Sequence, residues 1–304
     1  PKIINSKGYN SIPKFKNIDF WFKPKVIEQL ATLKNAINKI KDEDMRDFFL
    51  VCFSETVRDV SNTRNGEFKL YRMAEKNLMK HNPYVHAKFE KIALDNIKGM
   101  KEYNKVRTNT KTEPILFSSM NQLPLKENSV DIILTSPPYG DSKTTVAYGQ
   151  FSRLASQWLD YEDIISLDNK LLGGKASKEL EVKINSPTLK NIIKEIAEID
   201  SKRAKEVLSF YEDFDKCVIQ LNRVMAKEGY VCFVVGNRTV KGINIPTDKI
   251  MSEMFMARDN YKYITTHLRK IPNKRMPSLN SPSNKTGEKV TTMCNEFIFV
   301  LQKI

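Results

Sequence analysis

The sequence contains little of what metal sites and disulfide frameworks require. It has 3 histidines and 4 cysteines in 304 residues, and no two cysteines form a CxxC pair. The nearest histidines, His81 and His86, do not have the i, i+4 spacing of a helical metal pair. We therefore predict that the protein binds no metal, and that its cysteines, which lie in or near apolar runs, are small core residues. They are Cys52, Cys217, Cys232 and Cys294.

Long apolar runs are also absent. Hydrophobic residues make up 40% of the chain, an ordinary value for a globular protein, but no run is long enough to span a bilayer. The opening stretch, PKIINSKGYNSIPKFKN, has no apolar signal region. The sequence therefore predicts a cytoplasmic protein, long enough for one large domain or for one domain with a smaller second one.

Acidic residues are too few to balance the basic ones. The chain has 50 Lys and Arg against 36 Asp and Glu, which gives a formal net charge of +14. A basic surface of this kind suits a polyanion such as nucleic acid. The same charge can also serve solubility alone, so it is compatible with a nucleic-acid partner without requiring one.

The first third of the chain has the pattern of helices. Four apolar residues recur at the spacing of one helical face: Val26, Leu30, Leu33 and Ile37. The run FFLVCF that follows is assigned to a buried helix rather than a buried strand, because no glycine turn comes after it. We predict an N-terminal helical region over residues 1–108, with a possible role in partner or DNA contact.

From residue 109 onward, short apolar runs alternate with helical patterns. Strands are predicted in EPILFSSM (113–120), SVDIILTS (129–136), YVCFVVGN (230–237), YKYITTHLRKI (261–271) and CNEFIFVLQKI (294–304). A long amphipathic helix is expected to end at Gly229, and another to begin near Pro246. This alternation predicts an α/β domain over residues 109–304, with a twisted, mainly parallel sheet and helices on both faces.

One predicted strand ends in an unusual way. The apolar run DIILT stops at Ser136, Pro137, Pro138 and Tyr139. Proline cannot donate to a sheet ladder, so the pair must lie just past the strand end. Open α/β sheets place their ligands at that edge. A plain Pro-Pro turn that caps the strand is the alternative.

The stretch VDIILTSPPYG resembles the catalytic motif of the amino-group DNA methyltransferases. Its serine is most similar to the cytosine-N4 branch, since adenine-N6 enzymes mostly carry aspartate there. Further similarity in LPxxxxSVD, GYVCFVVGNR, IPNKRMPSLNSPSN and NEFIFVLQK extends the resemblance over most of Ile115 to Ile304.

The resemblance implies a Rossmann-like, S-adenosylmethionine-dependent methyltransferase sheet. It also implies double-stranded DNA with a flipped target base as substrate, and a place in a restriction–modification system. Three alternatives stay open: an adenine-N6 DNA methyltransferase, an RNA or protein amino-methyltransferase, and a catalytically silent DNA-binding subunit. The serine in place of asparagine argues against RNA and protein substrates.

The chemistry explains the residues of the motif. The exocyclic amine of cytosine is a poor nucleophile, because its lone pair is delocalised into the ring. Two acceptors on its two N–H groups would favour the tetrahedral geometry that attack requires. We assign these to the hydroxyl of Ser136 and the carbonyl of Pro137, held in a turn that Pro138 rigidifies. Tyr139 offers a flat face on which the extruded base can stack.

Other site residues are assigned from the resemblance or from their positions past strand ends. Ser118 and Ser119 end a predicted strand where the family often has an acidic residue contacting the cofactor, and Thr135 adjoins the catalytic turn. We predict cofactor contacts for these three. The predicted DNA contacts are Lys143, Tyr148, Arg153, Asn237, Arg238, Lys274 and Arg275. Either the insert 161–206 or the basic connection 61–72 could read the target sequence.

One part that the resemblance implies is missing. The family carries a glycine-rich turn after its first strand, through which the backbone approaches S-adenosylmethionine, and none of the 11 glycines forms it. The family sheet order resembles 3-2-1-4-5-7-6, and the predicted strands 113–120 and 129–136 resemble the third and fourth. Nothing in the sequence supplies the first and second strands between them.

A strand such as DIILT with an open edge would readily pair with another chain. We therefore predict that a second polypeptide, or an upstream part of the same protein, supplies the missing strands and the glycine loop. An inactive remnant is the third possibility, and the intact catalytic motif argues against it.

Overall fold

The computed structural model describes residues 12–64, 69–140, 148–162, 164–258, 260–270, 279–280, 290–291 and 295–304. The chain divides into two compact units. The first contains residues 1–114 and 147–167, and the second contains residues 115–146 and 168–304. The assigned roles of the regions 1–108, 109–304 and 161–206 stay predictions.

The first unit is built from helices. They are α1 (Ile18–Trp21), α2 (Pro24–Asn38), α3 (Glu43–Val60), α4 (Glu75–Lys80), α5 (Val85–Val106) and α6 (Tyr148–Trp158). The run FFLVCF lies within α3, which confirms the predicted buried helix, since Cys52 and Phe53 are fully buried. Asp42 caps this helix by accepting a hydrogen bond from the Met45 N–H at 2.8 Å.

An aromatic group forms the core of the first unit. Trp158 of α6 is fully buried and lies edge-on to Phe22 and Phe53, with ring centroids 5.8 and 6.2 Å away. Such edge-to-face pairs stabilise a core beyond their buried area alone. Helix α6 is therefore part of the same core as the N-terminal helices.

The second unit combines helices and strands. A 3₁₀ turn (Ile164–Ser166) belongs to the first unit, and α7 (Leu167–Lys170) lies at the boundary between the units. The longer helices of the second unit are α8 (Pro187–Ile199), α9 (Ser201–Val224) and α10 (Thr247–Met256). Its strands are β1 (Val130–Thr135), β2 (Met225–Val235), β3 (Arg238–Val240), β4 (Ile243–Ile245), β5 (Tyr261–Lys270), β6 (Leu279–Asn280), β7 (Val290–Thr291) and β8 (Asn295–Lys303). Within the described residues, no helix is long and apolar enough to cross a membrane.

Four strands form the main sheet, in the order β1-β2-β8-β5. This order agrees with the 4-5-7-6 part of the order that the resemblance implies. Within the described residues the sheet is mixed: β1 and β2 pair in parallel, and β8 runs antiparallel to both of its neighbours, so β1, β2 and β5 run in one direction and β8 in the other. Long helices, α9 and α10, precede β2 and β5, as parallel crossovers require. Between β5 and β8 the described residues contain only the β6–β7 ladder, so β8 can return antiparallel.

The predicted strand at 113–120 does not form. Ile115, Leu116 and Phe117 are 42, 104 and 44% exposed and lie in irregular structure. A strand is stable only with a neighbour. In the family order this strand's neighbour is the second strand, and no such neighbour is present among the described strands.

The predicted helix stop at Gly229 is also wrong. The helix α9 ends at Val224, and β2 begins at once with Met225, which pairs with Val130 of β1. The ladder then shifts register, and Glu228 adopts a φ of 65°. A Cβ on Gly229 would lie 2.9 Å from the Asp131 carbonyl oxygen, so this glycine permits close approach of β1 within a bulge.

The sheet buries one of its faces much more fully than the other. Phe233 of β2 contacts Phe214 of α9, Phe255 of α10 and Phe299 of β8, with ring centroids 5.4 to 6.2 Å away. Both helices therefore pack on the same face. On the opposite face no described residue of β1, β2 or β8 is buried, so the prediction of helices on both faces is wrong for the described part of the chain.

Candidate functional site

The sequence Ser-Pro-Pro-Tyr lies where its composition predicts, directly after β1. The strand ends at Thr135, which pairs with Phe233 of β2, and Ser136 follows as an exposed residue. Pro137 and Pro138 are partly buried, and neither forms part of a strand. The prolines therefore stop the ladder and present the serine at the carboxyl end of two parallel strands, the usual ligand edge of such sheets.

A chain of hydrogen bonds links this serine to the interior strands. Ser136 Oγ lies 3.1 Å from Tyr139 Oη. Tyr139 in turn donates its hydroxyl hydrogen to Glu296 Oε1 of β8 at 2.9 Å. Tyr139 is half-buried, so its ring has one covered and one accessible part. The hydroxyl that the sequence assigns to catalysis thus has a fixed tyrosine neighbour.

Glu296 is held from its other side by an arginine. Arg269 of β5 is its cross-strand partner, and both its Nε, at 2.9 Å, and its Nη2 donate to Glu296 Oε2. The Glu296 side chain is 15% exposed, and that of Arg269 is 58% exposed. The hydrogen bond and charge of Glu296 raise the pKa of the Arg269 guanidinium above its usual value. Both carboxylate oxygens therefore have partners.

A second arginine lies against the turn. A Cβ placed on Gly140 would be 2.2 Å from Arg238 Nη1, so any larger residue at this position would displace the guanidinium. Two nitrogens of Arg238, Nε and Nη2, are buried. Its neighbour Asn237 accepts a hydrogen bond from the Asp248 N–H in the first turn of α10, at 3.4 Å. The predicted DNA contacts Asn237 and Arg238 therefore lie at the same strand-end edge as Ser136, with Arg238 packed beneath the turn.

The predicted cofactor residues are not gathered in the same way. Ser118 and Ser119 are exposed and follow the irregular stretch at 113–117 rather than a strand. Ser119 Oγ lies 3.3 Å from Cys217 Sγ of α9. Thr135 remains adjacent to Ser136 at the end of β1. The cofactor roles of these residues stay predictions.

The other predicted DNA contacts are distributed differently. Tyr148 begins α6 in the first unit, and Arg153 lies in the same helix with its Nε buried. Lys143, Lys274 and Arg275 lie outside the described residues. Their assignment to DNA stays a prediction.

Two residues of the site were missed by the sequence analysis: Glu296 and Arg269. A signal for Glu296 was present, because it is the only charged side chain in the run NEFIFVL, which is otherwise apolar after its first residue. A charge at the start of a buried strand needs a partner, and here it finds Tyr139 and Arg269. Arg269 gave no comparable signal, because it lies in a strand with several exposed basic residues.

Two of the four cysteines, Cys52 and Cys217, are confirmed as core residues. Cys52 and Cys217 are 0 and 3% exposed, and burial raises the pKa of both thiols. Burial also raises the pKa of Cys232, which is half-buried. A raised thiol pKa disfavours the nucleophilic thiolate. Cys294 lies outside the described residues.

That these residues lack a complete site for S-adenosylmethionine stays a prediction. Such a site needs a turn after a strand where the backbone comes close to the ligand, and two of the described glycines, one after β1 and one within β2, have close protein neighbours instead. Gly140 accommodates Arg238, and Gly229 accommodates β1. On the outer side of β1, where the resemblance implies the cofactor strands, no described strand is paired.

Comparison with known proteins gives a strong match in sequence. The chain is 48% identical over 309 residues to the type II methyltransferase M.MvaI of Kocuria varians, and the alignment covers 96% of this chain and 68% of that protein. No protein-family profile matches the chain.

Among solved structures the similarity is weak. The crystal structure of TTHA0409 from Thermus thermophilus, a proposed DNA modification methylase, aligns with a TM-score of 0.29 at 15% identity, over 59% of this chain and 48% of that one. Its selenomethionine derivative gives 0.27 at 14% identity. This chain thus spans about half the length of the Thermus protein, and scores this low do not bear on its fold or function.

Proposed function

The chain belongs to the type II methyltransferases, and from this premise we propose that it methylates the exocyclic N4 amine of cytosine at a specific DNA site. S-adenosylmethionine would supply the methyl group, and the setting would be a restriction–modification system. The observation that carries the proposal is the exposed Ser136, followed by two prolines and a tyrosine, at the carboxyl end of β1.

In the proposed reaction, this chain supplies hydrogen-bond acceptors rather than a covalent nucleophile. The hydroxyl of Ser136 and the carbonyl of Pro137 would each accept one N–H of the target amine. Their lone pairs draw the amine toward a tetrahedral geometry and free its own lone pair for attack. Preorganised acceptors of this kind cost no reorganisation during the reaction. The thiols at Cys52, Cys217 and Cys232, with their raised pKa values, are not used.

DNA binding would combine stacking with charge. The half-buried ring of Tyr139 can receive an extruded base on its accessible face, and this stacking helps to offset the cost of unpairing. Asn237 lies at the same strand-end edge, and we expect it to contact the DNA. The formal net charge of +14 supports binding to phosphates, which would make the affinity fall steeply with salt.

The cofactor site would be completed outside these 304 residues. Its missing strands would pair along the open side of β1, where Ile132 and Leu134 are 62 and 71% exposed. A separate second polypeptide has no support from the comparisons. Since 32% of the Kocuria protein lies outside its alignment with this chain (100% less the 68% aligned), we favour a further part of the same polypeptide.

The proposal is tested by replacing the serine. Ser136→Ala should lower the methylation rate of the active enzyme by at least about 100-fold, as the loss of one oriented hydrogen-bond partner does in other enzymes. DNA affinity should stay within about threefold, because phosphate contacts dominate it. Ser129→Ala is the matched control, since Ser129 Oγ bonds only locally, to the Lys126 carbonyl at 2.7 Å.

Mass spectrometry of nucleosides from the methylated DNA identifies the base. N4-methylcytosine supports the proposal, and N6-methyladenine would replace it with the adenine alternative. If Ser136→Ala loses DNA binding together with activity, the residue is structural rather than catalytic. If the enzyme binds DNA but methylates neither base, the chain is the silent DNA-binding subunit.

A further inference from the structure

Glu296 is a carboxylate in a mostly buried part of the sheet, where a charged group requires hydrogen-bond or ionic partners. It lies in β8 just before the apolar run FIFVL, and its side chain is only 15% exposed. Each carboxylate oxygen has its own partner: Oε1 accepts from Tyr139, and Oε2 accepts from Arg269. The carboxylate therefore connects an exposed arginine on one side with the turn that carries Ser136 on the other.

The direction of these hydrogen bonds can be deduced. A carboxylate only accepts, and a phenol has a single hydrogen, so Tyr139 gives its hydrogen to Glu296. The oxygen of Tyr139 can then only accept from Ser136, 3.1 Å away. The hydrogen of Ser136 points toward Tyr139 as a result. Within the described part of the chain, this leaves both lone pairs of Ser136 Oγ for a substrate.

We propose that Glu296 is a positioning residue that sets, through Tyr139, the polarity of the Ser136 hydroxyl. This inference rests on the proposed function, in which Ser136 accepts an N–H of the target amine. Without the carboxylate, Tyr139 could donate to Ser136 instead. The Ser136 hydrogen would then be free to face the amine, where it opposes the N–H. Arg269 assists by occupying Oε2, so that Oε1 faces Tyr139.

A purely structural role for the ion pair of Glu296 and Arg269 makes a different prediction. Arg269 is 58% exposed, so water can solvate its guanidinium after the Glu296 carboxylate is replaced by an amide, and little stability is lost. Loss of the carboxylate should therefore change the rate of methylation far more than the melting temperature. A structural role would affect both, or the melting temperature alone.

The test is a double-mutant cycle on the active enzyme, with Tyr139→Phe, Glu296→Gln and the two combined. Each single substitution should lower kcat by about tenfold or more, since small misplacements of reacting groups have effects of that size. KM for DNA should stay within about threefold of its starting value. Because Glu296 acts only through Tyr139, adding Glu296→Gln to Tyr139→Phe should change nothing further.

Tyr263→Phe provides the matched control. Tyr263 of β5 also loses a hydroxyl hydrogen bond, the one it donates to Thr266 Oγ1 at 2.8 Å, but has no link to Ser136. Its kcat should equal that of the unsubstituted enzyme. Melting temperatures of all variants should agree within about 2 °C.

Two results would overturn the inference. The first is a kcat of Glu296→Gln that stays within twofold of the kcat of the unsubstituted enzyme. The second is that Glu296→Gln lowers kcat by the same factor in the Tyr139→Phe background as in the unsubstituted enzyme. Both are read against an active unsubstituted enzyme, so they leave the proposed function standing. An unsubstituted enzyme that methylates no DNA counts against the proposed function itself, and the inference falls with it.

Discussion

The two edges of the main sheet differ in how well they are protected. The β5 edge is long and carries the basic residues Lys262, His267, Arg269 and Lys270, and its ladder is interrupted by a register shift between Tyr263 and Thr265. Charges and bulges of this kind discourage pairing with another strand. The β1 edge has six residues with a single charged side chain, Asp131, and its Ile132 and Leu134 are largely exposed.

This difference indicates which edge is a true end of the sheet. The β5 edge has the features of a natural boundary, whereas the β1 edge has those of an interior strand whose neighbour is not among the described residues. The turn at Ser136 follows β1, so the serine that we propose as catalytic lies on the side where we expect a further strand to pair. The arginine and glutamate that support it come from β5 and β8 on the other side.

The largest effect is expected from a charge on the β1 edge. Ile132→Lys should lower methylation by the active enzyme by about 100-fold, because the lysine would be buried without a partner where the missing strand pairs. The same substitution should leave the stability of the 304-residue chain unchanged within about 0.5 kcal/mol, since Ile132 is exposed there. Rates from labelled S-adenosylmethionine and urea unfolding measure the two quantities.

Its control is Ile264→Lys on the β5 edge, where Ile264 is 42% exposed. That variant should keep its methylation rate within about twofold and its stability within about 0.5 kcal/mol. Because the β1 edge is open, we also expect the 304-residue chain to self-associate through it. Sedimentation should show that Ile132→Lys reduces this association and that Ile264→Lys does not. Equal behaviour of the two variants would mean that the edges do not differ.

A smaller effect is expected from pH at the start of β5. Burial raises the pKa of Tyr261 to about 12, above the value of about 10 for an unfolded chain. The folded state therefore binds this proton more tightly, so the associated stability is complete below pH 10 and is lost as the pH rises toward 12. We expect a loss of about 1 kcal/mol, reduced from the full shift by partial solvent contact.

Tyr261→Phe should reduce the loss of stability at alkaline pH. Part of that loss should remain, because burial also raises the pKa of Tyr211 in α9. Tyr263→Phe, on the exposed part of the same strand, should leave the alkaline loss as it is. Urea unfolding at pH 9 and pH 11 measures the change. If Tyr261→Phe loses as much stability between pH 9 and pH 11 as the unsubstituted chain, Tyr261 is not the group responsible.

The sequence predicted the elements that short-range patterns determine. The strand ending at Thr135, its two prolines, the buried helix around Phe53 and the two strands nearest the C-terminus all lie close to their predicted positions. In each case an apolar run with its flanking residues carries enough information. The family resemblance added the strand order, which no local pattern contains.

The errors arose where pairing between distant segments decides the structure. Leu116 lies in a run that has the pattern of a strand, but none of the described strands pairs with it. Gly229 reads as a helix stop, but pairing of Met225 with Val130 ends the helix earlier. The link from Ser136 through Tyr139 to Glu296 joins residues 157 positions apart, and only the folded sheet brings them together.

The central claim is that these residues hold the catalytic side of the enzyme but not a complete cofactor site. Calorimetric titration of S-adenosylmethionine into the 304-residue chain tests it most directly. The account predicts no measurable binding, together with DNA binding that falls as salt is added. Tight, stoichiometric binding of S-adenosylmethionine would contradict the account, because the cofactor site would then be complete without the strands proposed to pair with β1.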